Sequence, residues 1–297
     1  MSAASRLLVL VNPAAGGGRA LRQRSRLELA LRAHGVAHRT LLTESAEHAV
    51  AEARAAAGRG EAVAVMSGDG LIGRVGGELA GTGAPLGIVP GGRGNDLARV
   101  LGIPVAVEAA AAVLAGGRTR AIDVGEVNGR RFLGIASCGF DSEANRIANE
   151  TKLVRGNLVY LYAALRALAE WRPARFAVTL DGERRELTGY AVAAANSKAY
   201  GGGMFVAPAA ELDDGLLDVV LTGGTGKLRF LSNLPKVFKG THVELPEVSV
   251  ERAAEVRIEA DRAFPVYADG DRVADLPATV RVLPRALGVI VPAAPPR

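Results

Sequence analysis

Residues 62–79 read AVAVMSGDGLIGRVGGEL: an apolar run from Ala62 to Met66, the loop Ser67-Gly68-Asp69-Gly70, and an amphipathic stretch from Leu71 to Leu79. A short apolar run that passes through a glycine-rich loop into a helical pattern is the repeating unit of a parallel sheet, and ligands bind such sheets beyond the carboxyl ends of the strands. An Asp between two glycines puts a carboxylate where backbone can approach phosphate, suited to holding Mg²⁺ through water or to accepting a hydroxyl proton. The plainer alternative is an Asp-Gly turn whose carboxylate caps the next helix. The strand-loop-helix context favours the first reading.

The same unit recurs on both sides of this stretch. Apolar runs at Leu7 to Val11, Val36 to Leu42 and Leu86 to Val89 alternate with helical patterns at Ala20 to Ala33 and Ala46 to Ala57, which predicts a doubly wound α/β domain over residues 1–120. Two more of its loops are glycine-rich. Asn12-Pro13-Ala14-Ala15-Gly16-Gly17-Gly18 follows the first run, where unpaired amides at a helix start could face an anion, although a tight turn explains this loop equally well. Pro90-Gly91-Gly92-Arg93-Gly94-Asn95-Asp96-Leu97-Ala98-Arg99 follows the fourth run, with Arg93 as a cation suited to phosphate. Three donor-rich loops on one sheet edge suit a single large anion, and a nucleoside triphosphate is the natural candidate. None has the P-loop spacing that ends in Lys-Ser or Lys-Thr, so a Walker-type NTPase is not supported.

Beyond residue 120 the rhythm changes to strand pairs joined by turn dipeptides: Ile122 to Val127, Asn128-Gly129, Arg131 to Ile135, and then Phe176 to Leu180, Asp181-Gly182, Arg184 to Ala194. This predicts a β-rich antiparallel sandwich over residues 121–285, interrupted by helices at Asn157 to Glu170 and Lys227 to Lys239. The tail 286–297, with the apolar run Leu287 to Val291, is expected to return to the first domain.

The whole chain of 297 residues is long enough for about two domains, and 49% hydrophobic with 23% charged residues describes a soluble globular protein. No apolar stretch reaches the roughly 18 residues of a membrane span, and the N-terminal run is too short for a signal-peptide core. The single cysteine, Cys138, excludes an intramolecular disulfide and suits a reducing, cytoplasmic compartment. The net charge of +5 is spread among scattered arginines, with aromatics only 4% of residues, so no nucleic-acid partner is expected. A polyanionic small molecule or an anionic membrane surface fits this charge better.

Seven stretches together resemble the diacylglycerol and sphingosine kinases, the lipid kinase superfamily with a diacylglycerol kinase catalytic domain. They are VNPAAGG, VMSGDGLIGRVGGEL, LGIVPGGRGNDLAR, IDVG at 122–125, SCGFDSEA at 137–144, NSKAYGGGMFVAPAAELDDGLLDV at 196–219 and YADGDRV at 267–273. The resemblance implies ATP- and Mg²⁺-dependent phosphorylation of a lipid hydroxyl, a phosphofructokinase- or NAD-kinase-like nucleotide domain, a β-rich second domain, peripheral contact with the membrane that holds the lipid, and room for a homodimer. Asn12, Gly16, Thr43, Ser67, Gly68, Gly70 and Gly94 fall on nucleotide-loop positions, with Pro13, Gly92, Arg93 and Asn95 completing those loops. Asp69 and Asp271 fall on the two positions proposed for the catalytic base, and the sequence does not rank them. Asp123 falls near the lipid headgroup or in the catalytic charge network. Asp214, with backbone oxygens near Glu211 and Leu216, falls on a structural Mg²⁺ site.

The chain also departs from the family pattern. Leu71 replaces Thr as in the sphingosine branch, Arg74 stands in place of Glu, Gly77-Glu78 in place of Asn-Gly, and Ala15 and Arg93 in place of phosphate-touching hydroxyls. Asp271 is one methylene shorter than the usual Glu. Two alternatives follow: a weakly active or inactive family member that binds lipid or nucleotide, and a soluble-metabolite kinase of the NAD kinase type.

Other features read as ordinary packing. His34 and His38 lack a third metal ligand, His48 and His242 lack a recognisable partner, and Cys138 lies in a strand-to-loop segment as a packing residue. Asp141, in the same segment, is expected to order the domain junction. The apolar helix Leu158, Tyr160, Leu161, Leu165, Leu168, Trp171 is expected in the core. The basic amphipathic stretch Lys227 to Lys239 is a solvated face or a membrane-touching one.

Overall fold

The computed structural model describes residues 6–150 and 158–293. Its contacts divide the chain into two compact units: one of residues up to Val124, Leu212–Asp214 and the chain from Leu283 on, the other of Gly125–Glu211 and Gly215–Val282.

The first unit runs β1 (Leu7–Val11), α1 (Ala15–Ala33), β2 (His38–Leu42), α2 (Ala46–Gly58), β3 (Ala62–Ser67), α3 (Asp69–Leu79), β4 (Leu86–Pro90), α4 (Asp96–Val100), α5 (Val107–Gly116) and the start of β5 (Arg118–Val127). Strands pair in parallel in the order β2-β1-β3-β4. β1, β3 and β4 are buried along their whole length, as central strands covered on both faces must be, and this is why they read as continuous apolar runs. One face carries Leu7, Val9, Val11, Ala64 and Met66 against Leu27 and Leu31 of α1 and Ala110 and Leu114 of α5. α2 packs with α3. The carboxyl ends of β1, β3 and β4 therefore lie side by side, and all three glycine-rich loops leave from them. Val289 in the C-terminal run pairs in parallel with Leu86 of β4.

Here the structure departs from the expected boundaries at two points. β2 begins at His38 because Gly35, at φ +69°, ends α1 and the Val36 amide turns back to the Leu31 carbonyl. α5 (VEAAAAVLAG) is a helix that the sequence pattern does not announce, being nearly uniformly apolar with no clear period.

The second unit continues with β6 (Arg130–Phe132), β7 (Ile135–Gly139), α6 (Phe140–Glu150), α7 (Leu158–Glu170), β8 (Ala174–Leu180), β9 (Glu183–Ala195), β10 (Leu217–Gly223), α8 (Lys227–Val237), β11 (Val248–Ala253), β12 (Glu255–Ala260), β13 (Pro265–Ala268), β14 (Asp271–Asp275) and β15 (Ala278–Val291). Its antiparallel order is β14-β13-β7-β9-β8-β12-β15, with β10 also on β9 and β11 on β10. Both expected dipeptide hairpins form: Asn128 and Gly129 have φ +45° and +86°, and Asp181 and Gly182 +46° and +93°, the double left-handed geometry of a two-residue turn. The expected single arm Arg131 to Ile135 is instead two strands, because the Leu133, Gly134 and Ile135 amides donate to the Asp269 carboxylate. SCGFD is strand followed directly by α6, not strand followed by loop.

An aromatic cluster fills this unit's core. Phe140 meets Trp171 edge-on at 5.7 Å, Trp171 stacks on Tyr190 at 5.9 Å, and Tyr190 stacks on Phe230 at 4.0 Å. Leu168 and Trp171 are buried as expected, whereas Leu165 is exposed and belongs to the outer side of α7. Asn157 and the side chains of Leu158, Tyr160 and Leu161 lie outside the described residues.

Candidate functional site

The three loops beyond β1, β3 and β4 are bonded to one another. Asn12 donates from Nδ2 to Ser67 Oγ at 3.2 Å, and its backbone N–H reaches the Met66 carbonyl at 3.1 Å. Gly91 N–H donates to the Ser67 carbonyl at 2.8 Å. Asp69 Oδ1 accepts the Leu97 N–H at 3.2 Å, and Arg19 Nη2 donates to the Gly92 carbonyl. Each loop is thus tied to the next, forming one surface of backbone.

Glycine is required where the backbones meet. A Cβ on Gly92 would lie 2.5 Å from the Gly68 Cα, and one on Gly16 would lie 2.4 Å from the Gly91 carbonyl oxygen. Both distances are far inside van der Waals contact, so no other residue fits without moving a loop. Gly16, Gly17 and Gly18 also hold φ of +60°, +65° and +82° in succession, a left-handed run only glycine adopts readily. The regular part of α1 starts after them.

The two asparagines act as loop fasteners. Asn12 Oδ1 accepts from Ala14 N–H at 3.0 Å while its Nδ2 holds Ser67. Asn95, itself at φ +53°, accepts the Gly92 N–H at 2.9 Å and donates back to the Gly92 carbonyl at 3.1 Å. Thr43 is buried next to the first loop, with its N–H on the Val11 carbonyl at 2.9 Å and its hydroxyl on the same oxygen at 3.4 Å. Pro13 is half-buried, Gly70 opens the first turn of α3, and Arg93 and Gly94 form the tip of the third loop, with the Arg93 side chain exposed.

Asp69 occupies the first turn of α3, where the helix dipole favours a carboxylate. Burial nevertheless raises its pKa, and the charge of Asp96 adds to the rise, against the opposing pull of the Leu97, Asp69 and Asn95 backbone amides. Asp96 is buried at the start of α4. Two carboxylates this close hold a concentrated negative charge that a divalent cation would relieve, and an Asp with a raised pKa is a better proton acceptor than a solvated one.

The other acidic residues have separate settings. Asp123 is completely buried in β5; its N–H bonds the Leu212 carbonyl at 2.6 Å and its Oδ1 accepts the Arg285 N–H at 2.6 Å. Asp213 forms a bidentate pair with Arg120 at 2.8 and 3.0 Å, and this hydrogen bonding holds its carboxyl below the usual range. Asp214 belongs to the first unit and Glu211 and Leu216 to the second, and among the described residues no three His, Cys, Asp or Glu side chains cluster as a metal site. Asp271 is exposed at the start of β14, while Asp269, two residues earlier, is the one cradled by amides. Buried Asp218 has its carboxyl pushed up by burial and by the Glu211 charge, opposed by Lys198.

Two departures from the family pattern have partners. Arg74 pairs with Glu47 on α2 at 2.8 Å, and Glu78 pairs with Arg54 at 2.7 Å, so the substituted positions form two ion pairs between α2 and α3. Both histidines read as partnerless have contacts: His48 Nδ1 accepts the Glu44 N–H at 3.2 Å, and buried His242 meets the Val206 carbonyl through Nε2 at 3.0 Å. Burial pushes the Cys138 thiol up to about 12, with Asp141 adding to the rise, which makes it a packing residue and no nucleophile. Arg19 and Asp96 are site residues that sequence reasoning did not assign. Arg19 carried no signal beyond following the glycine run, while Asp96 stood in the Asn-Asp pair at a helix start.

Comparison with known proteins bears on the use of this surface. Residues 6–127 match the diacylglycerol kinase catalytic domain, and residues 134–291 match the YegS C-terminal NAD kinase beta sandwich-like domain. The chain belongs to the diacylglycerol kinase family of lipid kinases. It is 37% identical over 295 residues to a diacylglycerol kinase of Mycobacterium tuberculosis, covering 97% of this chain and 95% of that protein. It is 36% identical over 233 residues to a Pseudomonas aeruginosa protein named "probable lipid kinase YegS-like", covering 77% and 76% of the two chains. A crystal structure of a diacylglycerol kinase from Bacillus anthracis has the same fold, with a TM-score of 0.75 at 23% identity over 98% of this chain and 97% of that one. The family is one of phosphotransferases, and its catalytic domain spans the three-loop surface. Among the described residues no helix is long and apolar enough to cross a membrane.

Proposed function

We propose that this protein transfers the γ-phosphoryl group of ATP to the hydroxyl of a bilayer lipid, diacylglycerol or a sphingoid-like alcohol. The observation that carries this reading is the set of three fastened loops with Asp69 among them. Their side-chain amides are spent on holding the loops, and backbone N–H groups with the exposed Arg93 remain as the groups suited to phosphate. The glycines let the three loops approach closely enough to present those amides together.

In the proposed reaction the lipid hydroxyl gives its proton to the Asp69 carboxylate as its oxygen bonds to the γ-phosphorus. The bond from that phosphorus to the bridging oxygen breaks, and ADP leaves with the electron pair. Asp69 and Asp96 fit a Mg²⁺ ion, which would supply charge neutralisation on the phosphate oxygens. Asp271 is the competing base, and Asp69→Asn and Asp271→Asn single-turnover rates separate the two. Fastening the loops before substrate arrives lowers the ordering that binding would otherwise require.

The test is incubation with labelled ATP, Mg²⁺ and a panel of diacylglycerol, sphingoid base, phosphatidylinositol and NAD. Label in a lipid hydroxyl is expected. Label in NAD alone, or ATP binding with no transfer to any acceptor, contradicts the proposal.

A further inference from the structure

Helix α8 stands out on the second unit. None of its residues is buried, yet its sequence KLRFLSNLPKV is rich in apolar side chains. One side is anchored: Phe230 stacks on Tyr190 at 4.0 Å and meets Phe140 at 4.9 Å, and Leu231 packs on the same core. Two other apolar side chains of the helix stay exposed. Leu228 in the first turn is 85% exposed, and Phe238 at the helix end is 55% exposed, with a further exposed ring, Phe205, beside it through the Phe205 N–H to Val237 carbonyl bond. Ten residues separate Leu228 from Phe238, roughly 15 Å along the axis and about 80° around it, so both project from one broad face.

The charge on this face is one-sided. Residues 227–239 contain Lys227, Arg229, Lys236 and Lys239 and no carboxylate. Of the acids nearby, Glu247 is taken up by Arg229 in a bidentate pair at 3.0 Å, and Glu244 is exposed on the following turn. Lys227 Nζ bonds the Ala169 carbonyl. Half-buried Lys236, whose charge also reaches Glu247, and exposed Lys239 lie beside Phe238 at the end of the helix. A helix lying in a lipid headgroup layer would bury these apolar side chains and set the cations against anionic phosphates.

We propose that the outer face of α8, with Leu228 and Phe238 inserted and Lys236 and Lys239 at the headgroups, is the surface by which this protein docks on an anionic lipid bilayer. The proposal rests on the reading of the acceptor as a bilayer lipid, and it names the contact by which the enzyme would reach it.

The full-length protein is sedimented, without ATP, with vesicles of phosphatidylcholine alone and of phosphatidylcholine doped with phosphatidylglycerol. Binding is expected only to the anionic vesicles and to weaken with added salt. The L228E/F238E variant should lose about tenfold or more in vesicle affinity. The K236Q/K239Q variant, which removes charge without touching the apolar contacts, should also weaken binding and flatten its salt dependence. Both variants should phosphorylate a short-chain, water-soluble diacylglycerol at the wild-type rate. Unchanged vesicle binding in K236Q/K239Q and L228E/F238E overturns the docking surface. So does a variant that converts a dimer to a monomer with vesicle binding intact, since the face would then cover a second copy. Loss of vesicle binding with no lipid phosphorylated by the wild type leaves the docking surface standing and rejects the acceptor.

Discussion

Two of the chain's four Asp-Gly dipeptides have opposite uses. In Ser67-Gly68-Asp69-Gly70 the Asp enters the first turn of a helix at the end of a buried parallel strand, and its carboxyl is raised by burial and by Asp96. In Ala268-Asp269-Gly270-Asp271 the Asp sits at φ +50° in a tight turn between antiparallel strands, and its carboxylate takes the N–H groups of Leu133, Gly134 and Ile135. The dipeptide alone does not set the role; the element on its carboxyl side does. A helix turns the carboxylate toward the strand ends of its own sheet, while a hairpin turns it back onto backbone.

The sharpest way to break this contrast is to neutralise each Asp. Asp69→Asn keeps an acceptor for the Leu97 N–H but removes the proton acceptor, so turnover should fall by about 10² to 10⁴ while the melting temperature does not fall. Single-turnover transfer and calorimetry read the two effects separately. A variant with wild-type turnover would return the role of base to Asp271. Asp269→Ala should do the reverse: it strands three backbone donors and should cost about 2–3 kcal/mol of stability in a denaturant titration. If Asp269→Ala is as stable as the wild type, the amide cradle is not holding the turn.

Gly92→Ala sharpens the loop side of the comparison. Its Cβ would meet the Gly68 Cα at 2.5 Å, so the second and third loops must part, and the KM for ATP should rise about tenfold or more. A KM within error of the wild type would mean the loops separate without consequence for nucleotide.

Asp141 tests burial without a site role. Burial lifts its carboxyl to about 6 from an ordinary 3.8. Between those values the folded chain holds a proton the unfolded chain has released, so this group's contribution to stability falls as pH rises across that window. Asp141→Asn should therefore gain stability over the wild type at pH 7 and little at pH 4, measured as the melting-temperature difference at each pH. An equal difference at both would rule out that titration. The smallest effect belongs to Arg74. Its exposed pair with Glu47 should be worth under about 1 kcal/mol, so Arg74→Glu should change stability slightly, and the exchanged pair Glu47→Arg with Arg74→Glu should restore it.

Much of the first unit was legible because parallel strands buried on both faces leave continuous apolar runs, and glycine loops leave gaps that only backbone can use. β1, β3 and β4 and their loops follow directly from that pattern. α5 was not legible, since an apolar helix of mostly alanine has no polar side to reveal its period. In the second unit the Asn128-Gly129 and Asp181-Gly182 turns announced themselves, but the break between β6 and β7 is imposed by Asp269, 134 to 136 residues away in the chain. Asp69 stood out in the sequence by its glycine neighbours. Arg19, which fastens the first loop to the third, did not, because its partner is a backbone carbonyl that no sequence pattern marks.

Hydrogen exchange of the backbone amides with and without ATP and Mg²⁺ reads the central claim most directly. Peptides covering Gly16 to Gly18, Ser67 to Gly70 and Gly91 to Asn95 should gain protection together, since one polyphosphate is held by all three loops. Protection confined to one loop, or appearing only elsewhere in the chain, would contradict it.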